Sequence, residues 1–394
     1  MNTKQAILDK NVKYFIAILS LIVALGIIMV FSSSYIYAKE TFGSSAYFFY
    51  RQLIYLSISV GLCFIVSKTK VSFWTKYGFV FQSLMMILLI LTFVPGLSNK
   101  VNGASRWLVI GGFGLQPGEF SKYTILLACI PFFQKFNNLT RNEIIQYAIP
   151  VLGSLLVLVL QPDFGTFSIC FIILAAACFL SEFPRKYFYS SLLVGIIGVI
   201  GILFAEPYRV KRLFTYLDPW KNPQTSGFQI IQSYLAFANG SIIGKGLGNS
   251  VEKLFYLPEA HNDFIFSVIG EELGFIGVLS MACLFLGLIY FGLRICLAMT
   301  TSTRFILSGT LVLAIGIQAF LNMGVVLGLL PTKGLNLPFV SSGGSSLLAN
   351  FFAIGLILSC ARAEKKEVSL YSNSYDRQQE DLFARKGESS FSTY

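Results

Sequence analysis

Long apolar runs that carry almost no charge recur through this chain, and they limit what it can fold into more than any other feature. A helix needs about 20 apolar residues to cross a bilayer. Runs of that kind occupy 14–34, 51–67, 77–96, 187–205, 264–293, 305–330 and 344–361. The segments 144–160 and 164–181 flank Gln161-Pro162-Asp163-Phe164-Gly165 and read as a tight helical hairpin; 119–134 is a shorter tenth run. The expected fold is all-α: a polytopic integral membrane protein of about ten transmembrane helices, with both termini on one side. Composition agrees. Of 394 residues, 55% are hydrophobic and 12% charged, and soluble domains carry roughly twice that charge. A water-soluble enzyme and a disordered chain are both excluded.

Charge sets the expected orientation. With the N-terminus inside, the inner side holds Lys4, Lys10, Lys13, Lys68, Lys70, Lys76, Lys135, Arg141, Arg185, Lys186, Arg294, Arg304 and six tail residues, eighteen of the thirty Lys and Arg. That bias predicts N-in and C-in. The net charge of +11 therefore points to cytoplasmic loops and anionic lipid headgroups, with no nucleic-acid partner. Residues 1–13 are a polar, basic cytoplasmic segment with no small-residue cleavage site after the apolar run, so the first span is expected to stay uncleaved. The membrane domain is expected over 14–362. The tail 363–394 lacks apolar periodicity and is expected to be disordered and cytoplasmic.

Residue counts narrow the chemistry. His261 is the single histidine, which excludes metal sites built on histidine clusters and restricts any Ser-His-Asp triad to that residue. The seven cysteines all lie in apolar stretches without a CxxC pair and read as small core residues.

The informative cations are those on the expected outer side, where the topology bias works against them. They are Lys100, Arg106 and Lys122; Arg209, Lys211, Arg212, Lys221, Lys245 and Lys253; and Lys333. Arg forks grip phosphate oxygens bidentately, whereas Lys acts as a point charge; plain surface decoration is the alternative for any one of them. The long outer loop 206–262, between the seventh and eighth spans, is expected to contain a short interfacial or re-entrant helix over 228–238. The glycines at 240, 244, 246 and 248 then predict a loop packed closely on a neighbour.

Ionisable groups at membrane depth or its edge are functional candidates. Asp263, closing Leu257-Pro258-Glu259-Ala260-His261-Asn262-Asp263, is expected in the first turn of the eighth span. It is either a first-turn acid favoured by the helix dipole or a general base whose pKa is raised by Glu259 and partial burial. Glu271 and Glu272 lie two turns deeper, where at least one must face the interior and either pair with an outer-loop cation or take part in chemistry. In Pro338-Phe339-Val340-Ser341-Ser342-Gly343-Gly344-Ser345-Ser346, the glycines permit close backbone approach and the serines offer polar groups to an anion or sugar.

Several of these pieces occur together in a fixed order: Asn102 to Trp107, Gln116 to Lys122, Gln161 to Thr166, Arg212 to Trp220, Leu257 to Phe266, Pro331 to Leu335 and Pro338 to Ser346. In that order, over roughly residues 14–362, the chain closely resembles the bacterial SEDS family (shape, elongation, division and sporulation proteins). Gly246 to Ser250, Lys253 to His261 and Pro331 to Leu335 make it more similar to the division branch than to the elongation branch; a sporulation-type member would look similar. Three positions depart from the family pattern. Asn262 and Ser342 stand where Thr and Tyr are usual, and Ser105 stands where a second basic residue is common.

The resemblance implies a peptidoglycan glycosyltransferase that polymerises lipid II into β-1,4 glycan strands at the outer face of the cytoplasmic membrane, during septal wall synthesis. It implies that Asp263 matches the family's essential outer aspartate and serves as the base. Arg106, Lys122, Arg209, Arg212 and Lys333 are then candidates for holding the pyrophosphate, with Glu259, Glu271, Ser341 and Ser345 as further substrate contacts. No metal-ligating residues are assigned; a divalent cation, Mg or Mn, could help neutralise the leaving group, and no other cofactor is expected. Partners implied are lipid II, membrane lipids, a class B penicillin-binding protein with transpeptidase activity, and other division proteins. Two other readings stay open: a lipid II flippase or transporter, and a non-catalytic division scaffold.

Overall fold

The computed structural model describes residues 3–101, 104–110, 113–205, 210, 214–225, 227–253, 257–331 and 334–390. Helices form at each of the ten expected places: α1 (Thr3–Phe42), α2 (Tyr47–Lys68), then, after the short α3 (Val71–Lys76), α4 (Gly78–Leu91), α5 (Pro117–Lys135), α6 (Arg141–Leu160), α7 (Phe164–Leu180) and α8 (Arg185–Ala205). After α9 (Phe228–Gly240) come α10 (Ile265–Cys296), α11 (Ser302–Val326) and α12 (Gly344–Ser390). Six of these are long and apolar enough to cross a membrane, namely α1, α2, α6, α10, α11 and α12, while α4 and α7 are apolar but shorter.

The expected third span, 77–96, is shortened: its helix α4 ends at Leu91, and at its start Tyr77 leaves helical geometry between α3 and α4. At Gly78 a Cβ would lie 2.3 Å from the Leu127 carbonyl of α5, so only glycine lets the two backbones meet there. The resulting α4 has 14 residues, roughly 21 Å at 1.5 Å per residue.

The all-α expectation needs one correction. Between α4 and α5 the chain forms a three-stranded antiparallel sheet of β1 (Ser98–Val101), β2 (Ala104–Ile110) and β3 (Phe113–Leu115), with Leu108 opposite both Ser98 and Leu115. These strands are too short to show a period in sequence. Their pairing satisfies the backbone groups of a segment too polar to continue as a span.

Helix α1 starts at Thr3, ahead of the first apolar run, and α12 continues through Ser390. Within the first turns of those extensions, Lys365 pairs with Asp9 at 2.9 Å and Gln5 donates to the Lys365 carbonyl at 3.1 Å. Arg304 and Thr300 converge on the buried Glu364, at 2.6 and 3.0 Å. These contacts give the extensions a partner that their own apolar content does not supply.

The α6–α7 hairpin forms as expected, with Asp163 capping α7 by accepting from the Thr166 N–H at 3.3 Å. Helix α5 runs through the middle of the bundle, against α4, α7, α11 and α12. Nearly every residue from Pro117 to Ile130 is buried, including Glu119 and Lys122.

Candidate functional site

Four pieces of chain converge at Asp263: the turn 257–264 that leads into α10, the segment 334–343 that leads into α12, the middle of α11, and the sheet with the α6–α7 turn. Asp263 itself lies two residues before α10 rather than in its first turn. Its carbonyl accepts from Asn322 Nδ2 of α11 at 2.8 Å, and the same amide donates to the Leu335 carbonyl at 2.5 Å. One buried side chain thus ties both loops to the bundle. Ser341 Oγ donates to the Asn262 carbonyl and accepts from the Leu337 N–H, each at 2.8 Å. The Ser342 N–H donates to the His261 carbonyl at 3.0 Å. The His261 ring packs on Tyr37 and Phe48, with centroids 5.5 and 4.6 Å away. The backbone around Asp263 is therefore pinned from several different elements.

The carboxylate is treated differently. Among the described residues none donates a hydrogen bond to it. A Cβ on Gly334 would come within 3.1 Å of its Oδ2, so the glycine keeps the approach open. Burial raises the Asp263 pKa to about 7, reinforced by the negative charges of Glu259 and Glu119 and less by Asp163, while Arg106 opposes the shift. Desolvation and like charge both disfavour the anion, and the result is a carboxyl poised to exchange a proton near neutrality, as a general base requires.

Arg106, on β2, is half-buried. It donates Nη2 to the Pro162 carbonyl at 2.6 Å and Nε to the Gln161 carbonyl at 3.4 Å. Gln161 is held in turn by Thr92 Oγ1 and the Leu89 carbonyl, at 2.6 and 2.9 Å. The guanidinium is thus fixed on the α6–α7 turn with donors to spare for an anion. Lys122 is fully buried and makes 2.7 Å contacts with both Glu119 and Gln318. Glu259 accepts from Asn262 Nδ2 at 2.5 Å. Ser345 accepts from the Gln116 N–H at 3.0 Å and donates to the Gly114 carbonyl at 3.3 Å, anchoring the sheet to the start of α12.

Of the residues singled out from sequence, Asp263, Glu259, Arg106 and Ser341 come together, with Lys122 beside them through Glu119. Glu271 does not join them. It is fully buried at the far end of the first half of α10, where Lys245 and Ser250 engage it. Arg209, Arg212 and Lys333 lie outside the described residues. Asn322 and Gln318 were not singled out, and Gln161 and Asp163 were read only as parts of the hairpin turn and its motif, although their signal was present: each is a polar residue inside or at the edge of an apolar run, where an unpaired polar group is costly. Among the described residues no group of three or more His, Cys, Asp or Glu is arranged to hold a metal ion. An apolar cavity of about 600 Å³ lies elsewhere, among α5 to α8, lined by Phe132, Phe133, Phe183 and Phe188, and includes none of the residues named from sequence.

Comparison with known proteins defines the class. The model of the FtsW/RodA/SpoVE family, described as cell cycle protein, matches residues 12–366, and the chain belongs to that family. Among its relatives is a protein of Geobacter metallireducens named probable peptidoglycan glycosyltransferase FtsW, 38% identical over 360 residues that cover 90% of this chain and 96% of that one. Stage V sporulation protein E of Bacillus subtilis is 37% identical over 349 residues, covering 87% and 94%. A chain in the solved structure of a peptidoglycan synthase complex, described as coordinating polymerization and crosslinking, superposes with a TM-score of 0.69 at 28% identity, over 89% of this chain and 97% of that one. The rod shape determining protein RodA of Thermus thermophilus shares the fold, with a TM-score of 0.64 at 24% identity over 89% and 96%.

Proposed function

We propose that this protein is a peptidoglycan glycosyltransferase that polymerises lipid II into β-1,4 glycan strands, with Asp263 as its general base. The observation that carries the reading is the Asp263 carboxyl, whose backbone is pinned from several sides while no described residue donates to its oxygens and its pKa is raised to about 7. The names of the relatives in Geobacter and Bacillus support the activity and leave the choice between division and sporulation to experiment. We assign septal synthesis in cell division on the motif pattern.

The chain crosses the cytoplasmic membrane ten times with both ends inside, which places Asp263, Arg106 and the loop 206–262 at the outer face. The acceptor's 4-hydroxyl oxygen bonds to the donor's anomeric carbon as the bond from that carbon to the pyrophosphate oxygen breaks. The hydroxyl proton passes to Asp263, the bonding pair leaves with undecaprenyl pyrophosphate, and the anomeric centre inverts. Arg106, together with Arg209, Arg212 and Lys333, receives the leaving charge. Lys122 contributes by holding Glu119 and Gln318 in place beneath the site. Ser341 and Ser345 shape it by fixing the segments 337–342 and 114–116, and a divalent cation bound by the pyrophosphate would add to its neutralisation. A class B penicillin-binding protein is the expected partner for crosslinking; the likeness to a chain of a peptidoglycan synthase complex supports such an assembly.

The test uses purified protein with its transpeptidase partner, labelled lipid II and a divalent cation, and follows strand length on a gel. Wild type should polymerise. Asp263→Asn, folded and binding lipid II, should lose about 10²-fold or more, the scale of a positioned general base. Equal polymer from both would remove Asp263 as the base, and none from wild type would favour transport or scaffolding.

A further inference from the structure

Helix α10 is two helices joined at Gly274, whose φ of 66° and ψ of −164° interrupt the hydrogen-bond ladder. In an unbroken helix the Phe275 and Ile276 N–H groups would donate to the carbonyls of Glu271 and Glu272, four residues earlier. The loop after α9 inserts between those partners and satisfies all four groups. Lys245 and Gly246 donate their N–H groups to the Glu271 and Glu272 carbonyls at 3.0 and 2.9 Å, and Phe275 and Ile276 donate to the carbonyls of Ser241 and Ile242 at 2.9 and 3.3 Å. The fit needs glycine on both sides. A Cβ on Gly244 would sit 2.3 Å from the Glu272 carbonyl oxygen, and one on Gly274 would sit 2.4 Å from the Gly244 nitrogen.

The two glutamates at the break are then saturated by the same loop. Glu271 accepts from Ser250 Oγ, from Lys245 Nζ at 3.2 Å, and from the N–H groups of Val251 and Glu252 at 3.0 and 3.3 Å. Glu272 accepts from Lys253 Nζ at 2.6 Å and from Ser32 of α1 at 2.6 and 2.7 Å. Lys253 is itself buried, with its ammonium 4.9 Å from the centre of the Tyr35 ring. These groups hold the far end of the half-helix Ile265–Leu273, nine residues and roughly 13 Å long, and Asp263 stands just beyond its near end.

We propose that Glu271 and Glu272 are positioning residues for Asp263: with Lys245, Ser250, Lys253 and Ser32 they clamp the far end of the half-helix and so fix where the carboxylate sits. The inference rests on the reading of Asp263 as the base. The break severs the half-helix from the remainder of α10, so that long helix cannot orient it. The clamped loop also runs on toward the turn 257–263, so it governs both ends of the segment that carries Asp263. Buried ion pairs stabilise little compared with apolar contacts of the same volume; what four charged side chains supply here is a fixed register. Displacement of a catalytic group by about 1 Å can cost on the order of 10²-fold in rate.

The decisive variant is the double substitution Lys253→Met/Glu272→Gln, which removes both partners and leaves no uncompensated charge. Among the described residues the charged groups that face Asp263 are Glu259 on its own turn, Glu119 on α5, Arg106 on β2 and Asp163 before α7, and the variant alters none of them. Polymerisation from lipid II in the complex with its partner should show kcat reduced about tenfold or more with KM within about twofold. The acid limb of the pH–rate profile should move below its wild-type position as the carboxyl becomes better hydrated. Arg304→Met/Glu364→Gln, the matching change in the ion pair between α11 and α12, should leave both readouts at wild type. A folded Lys253→Met/Glu272→Gln protein with wild-type kcat and an unmoved limb overturns the clamp. If that variant does not fold, Ser250→Ala decides: it removes one hydrogen bond from Glu271 without changing charge, and wild-type kcat and limb there overturn the clamp equally. Asp263→Asn runs alongside. If it is inactive while the clamp variants are unaffected, the clamp alone fails; if it is as active as wild type, the base fails and the clamp falls with it.

Discussion

The half-helix Ile265–Leu273 has carboxylates at both ends, and they live under opposite conditions. At the end beside the break Glu271 and Glu272 have every oxygen engaged, by two lysines, two serines and two backbone N–H groups. At the other end Asp263 is held through its backbone, and among the described residues nothing donates to its oxygens. Two buried acids with complete sets of partners are architecture. An acid that is partly buried, surrounded by like charge and without a donor among the described residues is poised for chemistry, because its anion is relieved when it takes up a proton or when a cationic group arrives.

The comparison can be broken from either end. The largest effect is expected from Lys253→Met alone, which leaves Glu272 charged and buried without its ammonium. Such losses cost about 3–5 kcal/mol, and the variant should fall in yield and in thermal midpoint by fluorescence-detected size exclusion, whereas Asp263→Asn should not. Gly274→Ala comes next. It places a Cβ in a left-handed backbone position and within 2.4 Å of the Gly244 nitrogen; strain of this kind costs on the order of 1–3 kcal/mol, and faster proteolysis of the loop after α9 would report its release.

Asp263→Asn should act in the opposite direction on stability. A carboxyl whose folded pKa of about 7 lies above its ordinary value of 3.8 favours folding when protonated and loses that contribution as pH rises through about 7. The variant should therefore be more thermostable than wild type at pH 8, with the difference vanishing near pH 4. A wild-type protein that gains stability from pH 4 to pH 8 relative to Asp263→Asn would contradict the raised pKa. The smallest effect is expected from Arg106→Gln. Its hydrogen bonds to the α6–α7 turn are partly replaceable, so folding should survive while KM for lipid II rises and the acid limb moves to higher pH, since Arg106 opposes the upward shift.

The Asp263 end of this half-helix was readable in the sequence because an acid beside an apolar run has few bland explanations. Asp263, Glu259 and Arg106 could be named from type and position alone. Although a Cβ on Gly248 would meet nothing within 4 Å, the helix over 228–238 and the close packing of Gly240 and Gly244 after it were also readable, from local periodicity and the absence of side chains. What covers those glycines was not, because Gly274 lies about thirty residues further on and reads locally as mid-helix. The partners of Glu271 and Glu272 could be named only as a class, outer-loop cations, since Lys245 and Lys253 reach them through a tertiary fold. The close approach at Gly78 depends on a carbonyl of Leu127, and the sheet at 98–115 on pairing between strands too short to show a period. Lys122 was read as an outward cation because its charge is visible in sequence and Gln318, in another helix, is not.

The most direct test of the account is the pH dependence of a single round of glycosyl transfer, measured with saturating lipid II so that neither binding nor product release limits the rate. With Asp263 as the base, the rate should rise about tenfold per pH unit below an apparent pKa near 7 and then level off, and Asp263→Asn should lose the limb together with the activity. A wild-type limb near pH 4, or one retained in Asp263→Asn at undiminished rate, would contradict it.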